Sequence, residues 1–259
     1  YLAQPILWPF WLPLPLNLRI NRNAKALTQE IQEVILELEM AEPNTHGANL
    51  VQYLKSNPEQ TAQQILDEIR TVFIAGHDTS ASTLAWTCVL LAQNPVFQDE
   101  LATEILSRET ASNKDARDSP LLTQFILETL RLFPAAWSFT RKCGEEISTQ
   151  GVVLPKGATL ILDLFNSHRD PNYFDQPNEF NPKRFGPKPS DRPQYFMPFG
   201  AGPRICIGNN LAFAEMKIFI AELLRNYRVS LDSSYRHSIQ GRTTLRPEFG
   251  LPIHLSRRK

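Results

Sequence analysis

The sequence predicts a mainly α-helical protein with a small β-sheet region, that is, an α+β fold. Apolar residues recur at helical spacing through most of the first half of the chain. Short β-branched stretches, divided by turns that contain Pro and Gly, follow residue 134. The composition, with 42% hydrophobic and 21% charged residues, is typical of a globular protein that buries one large core.

The helical periodicity predicts six helices along the chain. They lie at residues 23–40, 49–55, about 61–93, 96–108, 121–133 and 207–227. The opening stretch 1–18 is rich in Trp, Leu and Phe, but its prolines prevent a continuous helix, so we predict a loop and no transmembrane span. Helix 61–93 is apolar on nearly all sides, which predicts a central helix buried by its neighbours.

The second half of the chain combines strands with a long irregular segment. Strands are predicted at residues 152–154, 159–164, 243–245 and 251–255, with a turn at 246–250. A Pro-rich segment, residues 170–198, leads into a Gly-rich loop and the last helix. Long irregular segments in compact domains usually have a function.

Charge and cysteine content restrict the choice of partners and compartment. The 27 basic residues balance 27 acidic ones, so no nucleic acid partner is predicted. Three cysteines far apart along the chain do not form a disulfide framework, which favours a reducing, cytoplasmic compartment. A peripheral membrane contact through the opening stretch stays open but is not predicted.

Residues 199–208, Phe-Gly-Ala-Gly-Pro-Arg-Ile-Cys-Ile-Gly, place Cys206 in a loop just before a helix. Backbone N–H groups at a helix start favour a thiolate. Gly200 permits a close approach of the backbone to the sulfur, and Gly208 leaves room for a flat group against the helix. Arg204 can pair with a carboxylate on such a group. A lone cysteine is more often a buried structural residue, but two distant motifs disfavour that alternative here.

The first of these motifs is a polar interruption of helix 61–93. Residues 75–80, Ala-Gly-His-Asp-Thr-Ser, put Asp78 among apolar turns, where a carboxylate is costly unless it is paired or solvated. Ala75 and Thr79 lie four apart on one face beside Gly76, so a ligand can approach the backbone there. The alternative is a solvated polar turn or helix cap, which the apolar runs on both sides disfavour.

The second motif is a pair of opposite charges, Glu128 and Arg131, three residues apart on helix 121–133. Such pairs are common on solvated surfaces, but the apolar neighbours of this pair predict burial. A buried ion pair needs further partners, and Arg184 in the irregular segment is a candidate for that role.

Together the three motifs resemble those of the cytochrome P-450 family of haem-thiolate monooxygenases. Segment 199–208 is similar to the family's haem-binding signature at all six named positions: Phe, Gly, any, Gly, any, Arg, any, Cys, any, Gly. Segment 75–79 resembles the oxygen-binding helix motif, and residues 128–131 resemble the Glu-x-x-Arg motif. The resemblance implies a cytochrome P-450 fold, truncated at its N-terminus, with residues 1–259 as a single haem-thiolate monooxygenase domain fragment.

The resemblance also implies roles for individual residues around haem b. Cys206 would be the axial ligand of the haem iron, with Phe199 shielding the sulfur and Gly200 and Gly208 completing the loop. Arg204 would contact a haem propionate. Arg141 matches a position that often does the same, although a solvent-facing arginine at a strand end is an equal alternative.

On the opposite side of the haem, the resemblance implies that Asp78 and Thr79 relay protons during oxygen activation. Ala75 and Gly76 would border the cofactor and the substrate. The remaining motif residues would be structural and would lock the irregular segment near the cysteine loop: Glu128, Arg131 and Arg184.

The expected activity is therefore that of an NAD(P)H-supported monooxygenase, which inserts one oxygen atom of O2 into a small apolar organic substrate. Its electrons would come from a separate ferredoxin- or flavoprotein-type donor. Two alternatives stay open: a haem enzyme that uses peroxide, and a non-catalytic truncated fragment that binds no haem.

Overall fold

A computed structural model of the chain describes residues 14–41, 49–107, 119–149, 151–186, 192–193 and 195–258. The chain divides into two compact units, Tyr1–His77 and Asp78–Lys259. The division falls within one long helix, Ala62–Gln93, which contributes its first half to one unit and its second half to the other. Whether the whole chain is one domain stays a prediction.

The first unit is helical. It contains α1 (Pro15–Met40), α2 (Leu50–Lys55) and the first half of α3 (Ala62–Gln93). The prediction of a loop was wrong for residues 15–18, because Pro15 occupies the first helical position, where its missing N–H costs nothing. The other prolines of that stretch lie outside the described residues. The short helix predicted at 49–55 is present as α2, and a capping box at Asn49 starts it.

The second unit holds the hydrophobic core. Besides the second half of α3, its helices are α4 (Pro95–Ser107), α5 (Pro120–Leu132), α6 (Leu164–Ser167) and α7 (Asn209–Asn226). The core residues come mainly from α3, α4, α5 and α7, and the completely buried members of the core are Trp86, Val89, Leu91, Leu101, Leu122, Phe125, Ile126, Phe185, Ile220 and Leu224. The second half of α3 thus shares one core with α4, α5 and α7.

Burial along α3 differs between its two halves. Residues 86–91 are buried, as expected of a central helix. The prediction was wrong for residues 71–77, where Val72, Phe73 and Ile74 are between 42% and 56% exposed. Helix α3 therefore exposes apolar side chains just before the acid and alcohol of the motif at residues 75–80.

The β structure of the described residues consists of two-stranded antiparallel ladders. The pairs are β1 (Ser138–Lys142) with β4 (Thr159–Asp163), β2 (Ile147–Thr149) with β3 (Val152–Leu154), β5 (Tyr227–Leu231) with β8 (Ile253–Arg257), and β6 (Ile239–Gly241) with β7 (Leu245–Pro247). The predicted fold class, mainly α with a small β region, is confirmed.

One predicted strand lies at the wrong place. The prediction put it at residues 243–245, with a turn at 246–250, whereas β7 covers Leu245–Pro247 and pairs with β6. Pro247 misled the prediction because proline usually ends a strand, yet it is tolerated at the end of an edge strand. Strands β1, β2, β5 and β6 were not predicted.

Candidate functional site

The cysteine loop is a tightly bonded turn between the irregular segment and α7. The N–H of Cys206 donates to the Phe199 carbonyl at 2.9 Å, and the N–H of Ile205 donates to the Gly202 carbonyl at 3.0 Å. Gly200 and Gly202 have φ values of +74° and +70°, a region that side chains disfavour. The loop conformation therefore depends on glycine at these two positions of the motif.

The face of this loop is open. Cys206 is exposed, whereas Cys88 and Cys143 are buried, and none of the three forms a disulfide. Ile207, next to the sulfur, is 98% exposed. A Cβ added to Gly208 would lie 3.8 Å from the Cys206 sulfur, so glycine keeps the space beside the thiol free. An exposed thiol with open space and apolar side chains around it fits a flat apolar cofactor that the sulfur coordinates.

Phe199 and Arg204, which were predicted to contact the haem or its sulfur ligand, differ in burial. Phe199 is half-buried and packs on Phe213, with a centroid distance of 5.6 Å. Arg204 is exposed and forms no ion pair with a described residue. Its guanidinium is therefore available to an anionic group at the surface.

Arg141 lies on β1, outside the loop. It is exposed, stacks over the Phe139 ring at 4.8 Å and donates to the Thr140 carbonyl at 2.9 Å. This geometry is that of a solvent-facing arginine at a strand end, the alternative that the sequence left open, and it is equally accessible to an external carboxylate.

The structure brings the Glu–Arg motif and the later arginine together in one buried cluster. The Arg131 guanidinium pairs with Glu128 through two bonds, Nε to Oε2 at 2.8 Å and Nη2 to Oε1 at 2.9 Å. Arg184 Nε donates to Glu128 Oε1 at 3.1 Å, and the N–H of Asn181 donates to the same oxygen at 2.8 Å. Glu128 and Arg131 are completely buried. The cluster thus has the additional partners that a buried ion pair requires.

The two arginines of this cluster also hold the irregular segment. Arg131 donates to the carbonyls of His168, Pro177 and Glu179, at 2.9, 2.6 and 3.1 Å. Arg184 donates to the Asp175 carbonyl at 2.6 Å. Because the backbone between residues 168 and 184 binds these two guanidinium groups, its path is held although the only helix or strand it contains is the short 3-10 helix Pro182–Arg184.

His168 connects this segment to the residues before the cysteine loop. The His168 side chain is completely buried, and its Nε2 accepts a bond from the Met197 N–H at 3.3 Å. Burial and the positive charges of Arg131 and Arg169 lower the pKa of His168 to about 4. The imidazole is therefore neutral at neutral pH and available as an acceptor.

The acid of the α3 motif contacts the hairpin formed by β6 and β7. The Thr244 hydroxyl donates to Asp78 Oδ2 at 2.8 Å, and both side chains are at least partly buried. The Thr79 carbonyl accepts from the Thr83 hydroxyl at 2.9 Å. An added Cβ at Gly76 would meet nothing within 4 Å, so space is open beside the helix at that position. No pattern in the sequence points to Thr244, because it lies in a short polar turn far along the chain.

The motifs, the helix-rich fold and the buried Glu–Arg cluster define a haem-thiolate class of protein. The cytochrome P-450 family model matches residues 1–252, and the chain therefore belongs to the cytochrome P-450 family. The resemblance stated from the sequence is confirmed.

Individual relatives agree with this assignment. Cytokinin hydroxylase of Arabidopsis thaliana is 32% identical over 92% of this chain and 50% of its own length. Cytochrome P-450 CYP72A219 of Panax ginseng is 33% identical over 95% of this chain and 52% of its own length. The retinoic acid-bound structure of cyanobacterial CYP120A1 is 27% identical, with a TM-score of 0.83 over 95% of this chain and 59% of that chain. The chain spans about half the length of the curated relatives it matches.

None of the described helices combines the length and apolarity needed to cross a membrane. Within the same residues, no three side chains among His, Cys, Asp and Glu converge on a point that could hold a metal ion. A site built on a single protein ligand, as in haem-thiolate coordination, does not require such a group.

Proposed function

We propose that this chain supplies the thiolate ligand and the proton relay of a cytochrome P-450 monooxygenase. The reaction inserts one atom of O2 into a C–H bond of a small apolar organic substrate, and the other atom leaves as water. It consumes two electrons, which originate from NAD(P)H, and two protons. The observation that carries the proposal is the exposed Cys206 thiol, in a loop that fills every named position of the family signature, while the other two cysteines are buried.

The cofactor of this reaction is haem b. When bound, it supplies the redox chemistry that activates dioxygen, and a thiolate ligand increases the electron density available for O–O cleavage. Cys206 would bind the iron, and the aromatic pair Phe199 and Phe213 would shield one side of the sulfur. The exposed guanidinium groups of Arg204 and Arg141 would bind the propionates.

Proton delivery and substrate contact would come from α3. Asp78 carries a carboxylate that can hold and release a proton, and Thr79 carries a hydroxyl that can pass one on. The exposed apolar side chains of residues 72–74 would contact an apolar substrate. Ala75 and Gly76 would let the substrate and the cofactor approach the helix closely.

Electrons would reach the haem from a ferredoxin- or flavoprotein-type donor, as the family resemblance implies. The three free cysteines support a reducing compartment, for which we propose the cytoplasm. Asp78 and Thr79 favour an enzyme that activates O2 over one that uses peroxide, because a peroxide already carries the electrons and protons that a relay would deliver.

The test is a reduced-plus-CO difference spectrum of the natural protein purified with haem. We expect the long-wavelength Soret band of a thiolate-ligated haem, its loss in Cys206→Ser and its retention in Cys143→Ala, the matched control. A pyridine haemochrome spectrum identifies haem b. Bound haem without the thiolate band would refute Cys206 as the ligand, and product formation with hydrogen peroxide alone would favour the peroxide-using alternative. Failure to bind haem would support a non-catalytic fragment.

A further inference from the structure

Thr244 is the side chain that holds Asp78 in place. Its hydroxyl donates to Asp78 Oδ2 at 2.8 Å across 166 positions of the chain. Thr244 is only 2% exposed, so water does not replace this bond easily. One carboxylate oxygen is thereby bound to the hairpin, which leaves Oδ1 as the oxygen that can exchange a proton.

The position of Thr244 is itself determined by α3. The hydroxyl of Ser82 and the indole N–H of Trp86 both donate to the Leu245 carbonyl, at 2.7 and 2.8 Å. Asp78, Ser82 and Trp86 are spaced four residues apart, so all three contacts lie along one face of the helix. The Leu245 N–H in turn donates to the Ala135 carbonyl at 3.1 Å. The hairpin therefore cannot shift along α3 without losing several bonds.

We infer that Thr244 is a positioning residue for proton delivery by Asp78, an inference that rests on the relay role of Asp78 under the proposed function. The threonine hydroxyl donates to the ionised carboxylate and fixes its rotamer. When Oδ1 has taken up a proton, Oδ2 still carries lone pairs that accept the bond from the hydroxyl, so the contact survives both protonation states. Without the hydroxyl, Asp78 would still be present but would sample several rotamers, and proton delivery would slow.

The bond can be tested without any substrate, by urea unfolding of the haem-loaded protein. Thr244→Val and Asp78→Ala are compared with the double variant in a cycle. If the two side chains bond, the double variant should raise the unfolding constant by less than the product of the two single effects. The shortfall should be about fivefold, which corresponds to one net hydrogen bond. Independent effects would show that the hydroxyl and the carboxylate do not interact and would overturn the inference.

The functional consequence is measured as the rate of oxygen consumption, in H2O and in D2O, by haem-loaded protein that receives electrons continuously from NADPH through an added flavoprotein reductase. A continuous supply is needed because the reaction consumes two electrons and two protons, whereas one electron alone would not engage the relay. We expect Thr244→Val to slow the solvent-sensitive rate about tenfold and Thr244→Ser to stay within twofold of the parent. Thr244→Ala is a second variant without a donor, should the valine variant bind haem poorly. Ser82→Ala is the matched control, because it loosens the same hairpin and leaves the bond to Asp78 intact.

The possible outcomes distinguish the positioning role of Thr244 from the relay role of Asp78. If Asp78→Ala is slow and Thr244→Val consumes oxygen at the parent rate, the positioning role is refuted and the relay role of Asp78 stands. If Asp78→Ala itself consumes oxygen at the parent rate, the relay role under the proposed function fails. If Ser82→Ala is as slow as Thr244→Val, hairpin packing and not the hydrogen bond controls the rate, which also overturns the inference.

Discussion

Replacing Glu128 by alanine is expected to destabilise the protein more than almost any other single truncation. The carboxylate accepts bonds from Arg131 and Arg184 and from the backbone N–H of Asn181. Without this carboxylate, the completely buried Arg131 guanidinium loses the negative charge that it pairs with. Removing one partner of a buried ion pair costs about 3–5 kcal/mol. Since a domain is stable by only about 5–15 kcal/mol, the variant should lose a large share of its free energy of unfolding.

The chain contains its own control for this experiment. Glu222 and Arg225 form a second Glu-x-x-Arg ion pair at the same spacing, but the Glu222 side chain is 51% exposed. Truncating a partner of a solvent-exposed pair costs about 0–1 kcal/mol. The two variants therefore share the residue type, the spacing and the substitution, and they differ mainly in burial.

The assay is urea unfolding followed by circular dichroism for the parent, Glu128→Ala and Glu222→Ala. We expect the midpoint of Glu128→Ala to fall sharply and that of Glu222→Ala to stay near the parent value. Haem content, read from the Soret absorbance, should be lost in Glu128→Ala, because the irregular segment before the cysteine loop is no longer held. Equal stability of the two variants, or normal haem content in Glu128→Ala, would refute the reasoning.

Two further predictions concern His168 and the glycines. Because His168 stays neutral down to pH about 4 when folded but takes up a proton near pH 6.5 when unfolded, the free energy of unfolding should fall by up to about 3 kcal/mol as the pH drops from 6.5 to 4. His168→Gln should show a smaller slope over that range, and identical slopes would contradict the burial argument. Gly200→Ala should lower the free energy of unfolding by about 1–2 kcal/mol, because φ at this position is +74°. Gly76→Ala, inside α3 with open space around it, should raise the free energy of unfolding by up to about 1 kcal/mol. Thermal unfolding measures both variants, and equal effects would contradict the argument from backbone strain.

The sequence was sufficient to predict features that depend on residues a few positions apart in the chain. The burial of Glu128 and Arg131 followed from apolar neighbours on the same helix, and the cysteine loop followed from glycines beside Cys206. Both arguments use contacts within a few residues of each other, where periodicity and conformational preference are informative. A further partner was expected because a buried ion pair needs additional bonds, and Arg184 was predicted as a candidate for that role.

Contacts between distant residues could not be predicted in this way. The bond from Thr244 to Asp78 and the bond from the Met197 N–H to His168 depend on how the hairpin and the irregular segment fold back, and no spacing rule encodes either. The exposure of residues 71–77 was missed for a related reason. An apolar helix predicts that something covers it, but the pattern does not say whether that partner is another segment of the same chain.

The central claim is that Cys206 supplies the only protein sulfur bound to the haem iron. X-ray absorption at the iron edge measures this directly in the haem-loaded protein. We expect the iron to have one sulfur neighbour in the parent protein and in Cys143→Ala, and none in Cys206→Ser. An iron environment without sulfur in the parent, or a sulfur neighbour that persists in Cys206→Ser, would contradict it.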